Sequence, residues 1–194
     1  MLSGYRDGPD VVVLGLARGG IPVGAEIAIA LNVQLDVFVV RKLGVPRWPE
    51  LAMGAIASGG GIVVNEDVVR SAQVTDAQLR AVIDAEADEL ARRESAYRSG
   101  AEPLDLAGKT VILADDGIAT GASMIAAARA VRDAGAERVI VAVPVGPSSA
   151  RQRLRDEADE VVFATTPRLF EAVGQVFTDF HQVSDDEVKK ALRR

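Results

Sequence analysis

The 194-residue chain has no cysteine, a single histidine and few aromatic residues, which make up 4% of the total. Without cysteine there is no disulfide framework, thiol nucleophile or thiolate metal site. One histidine cannot form a multi-histidine metal site, and nothing upstream pairs His181 with a nucleophile, so we expect it on the surface. The scarcity of aromatics beside abundant alanine and valine favours helices packed on a parallel sheet.

Long apolar runs and an excess of basic residues are missing as well. No run reaches membrane-spanning length and the N-terminus lacks the apolar core of a signal peptide, so we expect a cytoplasmic protein without membrane contact. Lys plus Arg total 22 against 28 Asp plus Glu, a net charge of −6. This balance argues against broad nucleic-acid binding, although local charge still permits an anionic substrate.

Short apolar runs alternate with helical patterns along most of the chain. One predicted helix starts at Pro22 and ends at Asn32, with Val23, Ile27 and Leu31 on its apolar face. Alternating strands and helices predict an α/β fold with a doubly wound parallel sheet. The predicted strands cover residues 11–16, 35–40, 111–114, 139–143 (closed by Pro144) and 161–164.

Residues 44–108 interrupt this alternation and form a predicted insertion. The glycine-rich residues 58–61 lie between two apolar runs and predict a hairpin turn. Thr75 and Gln78 form a capping-box pattern ahead of a predicted helix over about 76–98. The length of the chain fits one domain, 1–194, that carries this insertion.

The segment from residue 111 to residue 123 is the most informative part of the sequence. Four apolar residues lead into Asp115 and Asp116, and a turn of small and hydroxyl-bearing residues then opens a helix. Backbone N–H groups of such a turn, together with the helix dipole, favour a phosphate. The carboxylates suit vicinal hydroxyls or a hydrated cation. A sugar phosphate with free ribose hydroxyls would satisfy both halves.

This segment resembles the phosphoribosyl-pyrophosphate signature of the type I phosphoribosyltransferases. The resemblance implies that Asp115 and Asp116 hold the ribose hydroxyls. An ordinary strand–turn–helix junction would explain the glycines of the turn, but not two acids beside its hydroxyl groups. The 5′-phosphate would be bound by a turn formed by Ala119, Thr120, Gly121, Ala122 and Ser123.

A second loop, residues 15–22, follows the first predicted strand. No lysine follows Gly20, so a kinase-type P-loop is excluded. The loop resembles the pyrophosphate loop of the same family, which implies that Arg18 contacts pyrophosphate while Gly19 and Gly20 offer N–H groups. The resemblance also implies a cis peptide bond between Ala17 and Arg18. The alternative is a tight turn with an exposed arginine.

Arg41 and Lys42 follow the second predicted strand. Two bases at a strand end can neutralise a polyphosphate, and the resemblance assigns them to the pyrophosphate. It thereby places them with Arg18 in the catalytic machinery. The alternative is a solvated pair of bases, which is common at strand ends.

The segment after the last predicted strand, about 165–194, resembles the C-terminal hood of purine-type members. The resemblance implies that Phe170 and Val173 contact the base and that Asp179 lies near pyrophosphate-bound Mg²⁺. Phe177 and Phe180 fit the core better than a ligand site. Ser184 and Glu187 form a capping-box pattern that predicts a terminal helix.

The resemblance implies a phosphoribosyltransferase that moves the 5-phosphoribosyl group from phosphoribosyl pyrophosphate to a nitrogen nucleophile such as a nucleobase. It also implies Mg²⁺ as the cofactor and pyrophosphate as the second product. The alternative is a regulatory module that binds the same ligand without transfer. Ala119 stands where members that use hypoxanthine or guanine commonly carry a third acid, which argues against those bases. Three roles stay open for the insertion: a catalytic loop, a cover over the acceptor, or a homodimer contact.

Overall fold

The fold is given by a computed structural model, which describes residues 1–98 and 102–193. No helix within these residues is both long and apolar enough to cross a membrane. The helices are α1 (Gly20–Leu31), α2 (Glu66–Ser71), α3 (Asp76–Arg98), α4 (Ala122–Asp133), α5 (Ser148–Leu154) and α6 (Asp185–Leu192). The strands are β1 (Val11–Leu16), β2 (Gln34–Phe38), β3 (Val40–Val45), β4 (Trp48–Ala57), β5 (Ile62–Val64), β6 (Thr110–Ala114), β7 (Arg138–Val145) and β8 (Glu160–Thr165).

Five strands form the predicted parallel sheet, in the order β2-β1-β6-β7-β8. Alternate residues of each strand face opposite sides, so the sheet contributes to two separate cores. One core packs against α1 and includes Val13 and Ile112. The other packs against α4 and α5 and includes Leu14 and Leu113. The doubly wound α/β prediction is confirmed.

Several predicted boundaries shift in the structure. The strand expected over 35–40 ends at Phe38, and Val40 already belongs to a second sheet. The apolar run from residue 37 to residue 40 hid this break because no polar residue separates buried Phe38 from partly buried Val40. Strand β7 continues through Pro144, which lies beyond Ala142, the last residue paired with β6.

The apolar face of α1 is rotated from the predicted one. Leu31 is buried as expected, but Val23 and Ile27 are only partly buried, at the edge of the core. The buried residues of α1 instead include Ile21, Gly24, Ala25 and Ala28. Small residues on this face allow the helix to approach the sheet closely. The buried face of α1 is therefore determined by residue size as well as by hydrophobicity.

Strands β3, β4 and β5 form an antiparallel sheet over α4. Helix α4 packs against β6 and β7 on one side and against β3, β4 and β5 on the other. Its Ala127 and Ala128 are fully buried. A Cβ added at Gly61 would lie 2.5 Å from the Cβ of Ala130. The small residues of α4 are therefore required because the helix is enclosed between two sheets.

Helix α3 packs against β3 and β4 of the antiparallel sheet, and the terminal helix α6 packs beside α3. The capping boxes predicted at Thr75 and Ser184 are both present. A buried ion pair joins the end of α3 to β2, with Arg98 Nη2 lying 3.2 Å from Asp36 Oδ2. The predicted hood, about residues 165–194, is therefore not a single unit. Its last helix, α6, packs against α1 and α3 and does not continue the segment after β8.

Candidate functional site

The loop after β1 and the acids after β6 lie side by side. Strands β1 and β6 are neighbours, and Gly15 pairs with Ala114 at their carboxyl ends. A Cβ added at Gly19 would lie 2.6 Å from Asp116 Cγ, and one at Gly20 would lie 2.9 Å from the Cα of Asp115. Glycine is therefore required at position 20, where the neighbours are backbone atoms, whereas Gly19 lies against the side chain of Asp116.

The peptide bond between Ala17 and Arg18 is cis, as the family resemblance implied. The N–H of Ala17 donates a hydrogen bond of 2.9 Å to the carbonyl of Phe38, the last residue of β2. This bond places the loop between the ends of β2 and β6. It lies where ligands bind in open α/β sheets, outside the carboxyl ends of the strands.

The two acids are poorly solvated and carry no basic partner among the salt bridges of residues 1–98 and 102–193. Burial and the nearby charge of Asp116 raise the pKa of Asp115 to about 8, opposed by a hydrogen bond from the Asp116 N–H. Burial also raises the pKa of Asp116, opposed by the Gly117 N–H. Two desolvated carboxyl groups of this kind suit hydroxyl donors or a cation.

The turn of residues 119–123 opens α4 with accessible backbone. Gly121, the N-cap residue of α4, has φ +85°, a conformation that disfavours side chains, and no side chain caps the helix. Among the described residues, the side-chain contact there is a single long one of 3.5 Å, from the Ala122 N–H to Thr120 Oγ1. The N–H groups of the first turn of this twelve-residue helix are thus directed at any anion that binds there.

The turn is also anchored. The N–H of Ile118 donates a hydrogen bond of 2.9 Å to the carbonyl of Val145 at the end of β7. Ile118 itself is buried. The neighbouring strands β6 and β7 therefore hold the acids and the turn of residues 119–123 in a fixed relation.

The three predicted bases are each paired with an acid. Arg18 Nη1 lies 3.5 Å from Asp185 Oδ1. Arg41 Nη2 lies 2.6 Å from Glu86 Oε2 of α3, and Lys42 Nζ lies 3.4 Å from Glu50 Oε2.

Arg41 and Lys42 lie inside β3, not at the end of the second strand as expected. They line a cleft of about 600 Å³ between the β3–β4 hairpin and α3. The break between Phe38 and Val40 explains this difference, because it moves both bases into the antiparallel sheet.

The segment after β8 reaches the acidic loop through Val173. A Cβ added at Gly117 would lie 2.6 Å from Val173 Cγ1. Phe170 is partly buried. Asp179 is exposed and lies 3.5 Å from His181, which is on the surface as predicted. The described part of the chain holds no cluster of three or more acidic or histidine side chains fit for a metal, so Asp179 does not join Asp115 and Asp116.

The expectation that Phe177 and Phe180 belong to the core is wrong. Their ring centroids lie 5.2 Å apart and Phe180 is 50% exposed. The two rings pack on each other at the surface, where Phe180 also contacts Gly174. Pairing between aromatic rings here replaces burial in the main core.

Sequence reasoning missed two residues beside the loop, Tyr97 and Asp185. The Tyr97 hydroxyl donates a hydrogen bond of 2.9 Å to Asp185 Oδ1, the atom that also faces Arg18. The residues lie on α3 and α6, 88 positions apart. The acid-rich start of α6 was the only available signal, and it is equally explained by the helix dipole.

Comparison with known proteins agrees with this geometry. The family model for the phosphoribosyl transferase domain matches residues 2–178. Two Mycobacterium tuberculosis proteins, from strains CDC 1551 / Oshkosh and H37Rv, are 50% identical over 187 residues, and their names assign them provisionally as phosphoribosyl transferases. The match covers 96% of this chain but 42% of each relative, so the chain spans less than half of their length.

A solved structure extends the match to three dimensions. The crystal structure of TT1426 from Thermus thermophilus is 42% identical in sequence and superposes with a TM-score of 0.81, covering 94% of this chain and 86% of that one. The fold, the paired loops and these matches agree with one another. The chain belongs to the phosphoribosyl transferase family.

Proposed function

We propose that this chain transfers the 5-phosphoribosyl group from phosphoribosyl pyrophosphate to a nitrogen nucleophile and releases pyrophosphate. The observation that carries the proposal is the contact of the Gly19–Gly20 backbone with Asp115 and Asp116. It places the glycine loop, with the neighbouring Arg18, against two desolvated acids. The turn of residues 119–123, to which we assign anion binding, lies with these acids on the connection between β6 and α4.

Each part of the donor has a matching group. The ribose hydroxyls donate hydrogen bonds to Asp115 and Asp116, and the 5′-phosphate accepts from the backbone N–H groups of residues 119–123. The pyrophosphate lies against Arg18 and the N–H groups of Gly19 and Gly20. Arg41 and Lys42 add positive charge at this end once they leave Glu86 and Glu50.

The reaction forms a bond between the acceptor nitrogen and ribose C1 while the bond from C1 to the pyrophosphate oxygen breaks. Positive charge develops on the ribose and negative charge on the leaving group. The carboxyl groups of Asp115 and Asp116, whose pKa values are raised by burial, lie on the ribose side, where developing positive charge favours their ionised form. Arg18 lies on the leaving-group side. Fixed charges of this arrangement stabilise the transition state without reorganisation.

The residues fit Mg²⁺, because this ion takes one or two carboxylates, substrate phosphate oxygens and several waters. Asp115 and Asp116 are desolvated carboxyl groups without a basic partner among the described residues. When bound, the ion would supply neutralising charge to the leaving pyrophosphate. Asp179 does not join these two acids in the described chain, and its assignment near pyrophosphate-bound Mg²⁺ rests on the family resemblance alone. Val173, beside Gly117, and Phe170 are the proposed contacts of the base.

The test is release of pyrophosphate from phosphoribosyl pyrophosphate with Mg²⁺ and a panel of purines, pyrimidines and small amines. The double variant Asp115→Asn/Asp116→Asn should lose binding of phosphoribosyl pyrophosphate at least tenfold while remaining folded, because both carboxyl groups lie at a strand end. The matched control is Asp84→Asn/Asp88→Asn, which removes two exposed acids of α3 and should bind as the parent does. Parent-like binding by the first variant would refute the ribose assignment.

A regulatory module that binds the same ligand is the second candidate. The pairing of Arg41 with Glu86 and of Lys42 with Glu50 favours it, because acids of the insertion neutralise both bases. Binding of phosphoribosyl pyrophosphate in calorimetry without pyrophosphate release for any acceptor would support this candidate over the enzyme.

A further inference from the structure

The side chain of Arg18 is held only weakly. Its one described partner is Asp185, at 3.5 Å, and the hydrogen bonds of residues 1–98 and 102–193 include none donated by its guanidinium. The side chains of Arg18 and Asp185 are 31% and 57% exposed. Ion pairs with this geometry and exposure contribute little, so the arginine can be drawn away by a stronger acceptor.

Asp185, in contrast, is fixed in place. It is the first residue of α6, directly after the Ser184 N-cap, and the helix is anchored by fully buried Val188. The buried Tyr97 holds Asp185 Oδ1 through its hydroxyl at 2.9 Å. Two other arginines near Asp185, Arg92 and Arg93 of α3, are each paired with Glu89 at 2.7 Å.

We propose that Asp185 is a positioning residue that holds Arg18 in the ligand-free chain and yields it to pyrophosphate when the donor binds. The inference rests on the proposed function. A phosphate offers Arg18 a bidentate, charge-assisted contact that is stronger than an exposed ion pair at 3.5 Å. Because the pair with Asp185 exists only before binding, it lowers the affinity for any ligand that needs Arg18.

The terminal helix would thereby set the affinity of the pyrophosphate end of the site. This role is separate from the ribose and 5′-phosphate contacts, which involve the acids after β6 and the turn before α4. A ligand without pyrophosphate, such as ribose 5-phosphate, does not require Arg18 and should be insensitive to Asp185. The difference between the two ligands isolates the exchange from general effects on the fold.

The test is calorimetric titration of the whole chain with phosphoribosyl pyrophosphate and, separately, ribose 5-phosphate, at one salt and Mg²⁺ concentration. Asp185→Asn should bind phosphoribosyl pyrophosphate about two- to fivefold more tightly, the range expected for loss of one exposed ion pair. Its affinity for ribose 5-phosphate should stay unchanged. Asp185→Ser serves as the second variant if the asparagine variant fails to fold.

Two controls separate the exchange from a charge effect of α6. Asp186→Asn removes the next acid of the same helix turn and should change neither affinity. In an Arg18→Gln background, Asp185→Asn should have no further effect, because the residue acts through Arg18.

Each remaining result overturns a stated claim. Unchanged or weaker binding of phosphoribosyl pyrophosphate by Asp185→Asn, or an equal gain from Asp186→Asn, overturns the inference and leaves the proposed function intact. If the unaltered chain binds phosphoribosyl pyrophosphate not at all, the proposed function fails and the inference fails with it.

Discussion

Asp115 combines burial with a neighbouring negative charge, and this raises its pKa to about 8. In the unfolded chain an aspartate carboxyl group has its ordinary pKa of 3.8. Between these values the native state holds a proton that the unfolded state has lost, so this residue lowers the free energy of unfolding as the pH rises. The penalty is absent below about pH 4 and complete above about pH 8.

Asp115→Asn should therefore stabilise the ligand-free chain, and more so at high pH. We expect the gain to be larger at pH 8 than at pH 4.5 by about 2 kcal/mol or more, a difference of about 4 °C or more in Tm. Thermal unfolding at the two pH values measures it. Asp84→Asn, at an exposed position of α3, is the control and should show no such pH dependence. A loss of stability in Asp115→Asn that is equal at both pH values would contradict the assignment.

At this scale the sequence predicted local geometry better than contacts between elements. Local patterns predicted the strand that ends before Asp115 and the glycine loop after β1, and the family resemblance predicted the cis bond. Tyr97 and Asp185 were not predicted, because their hydrogen bond depends on how α3 packs against α6. No local pattern in either helix encodes that packing.

The element that most constrains the molecule is α4. Its buried alanines contact sheets on both sides, and Ala130 lies against the backbone of Gly61. A larger side chain cannot be accommodated by movement toward either sheet. Ala130→Leu should thus destabilise the chain by about 1–3 kcal/mol through overpacking.

Urea denaturation measures this effect as a lower midpoint with an unchanged slope. The control is Ala134→Leu, just beyond the end of the same helix, where the residue is exposed. Equal stability of the Ala130 and Ala134 variants would mean that the space between the sheets is wider than the geometry indicates.

Element types were predicted well, and junctions between elements were not. The central strands, the hairpin at residues 58–61 and the helix Asp76–Arg98 follow from periodicity and capping. The change of sheet between Phe38 and Val40 has no such signal, because the apolar end of β2 and the apolar start of β3 form one continuous run in the sequence. This one missed junction also explains the misplacement of Arg41 and Lys42.

At the scale of the whole molecule, the end of the insertion is joined to the parallel sheet by the Arg98–Asp36 pair. The two side chains are 8% and 12% exposed. Arg98 Nη2 also donates a hydrogen bond of 2.9 Å to the carbonyl of Val37. Removing the arginine leaves a buried carboxyl group without its partner, so Arg98→Met should cost about 3–5 kcal/mol.

Chemical denaturation of Arg98→Met and of a surface control measures this prediction. The control, Arg70→Met, breaks the exposed pair with Asp67 and should cost no more than about 1 kcal/mol. The further change Asp36→Leu should recover much of the stability lost in Arg98→Met, since it removes the unpaired charge. Similar losses in the free energy of unfolding for the Arg98 and Arg70 variants would show that the buried pair stabilises the chain no more than an exposed pair does.

The sequence predicted the class of the molecule because alternation of strands and helices is a long-range regularity. It predicted an insertion but not that the insertion forms a sheet covering α4. Long-range pairs such as Arg98 with Asp36 depend on that arrangement, and single-residue patterns carry no information about it.

Because α4 lies between two sheets, its rotation about its own axis is also fixed. An α-helix advances about 100° per residue, so a deletion of one residue between Ala122 and Val131 would turn the N-terminal end by about that angle against both sheets. A helix that contacts one sheet could absorb such a turn by rolling, whereas α4 contacts a sheet on each side, and rolling would bury its exposed Arg129 and Arg132. The direction in which the N–H groups of its first turn point is therefore set by the length of the helix as much as by the residues of the turn.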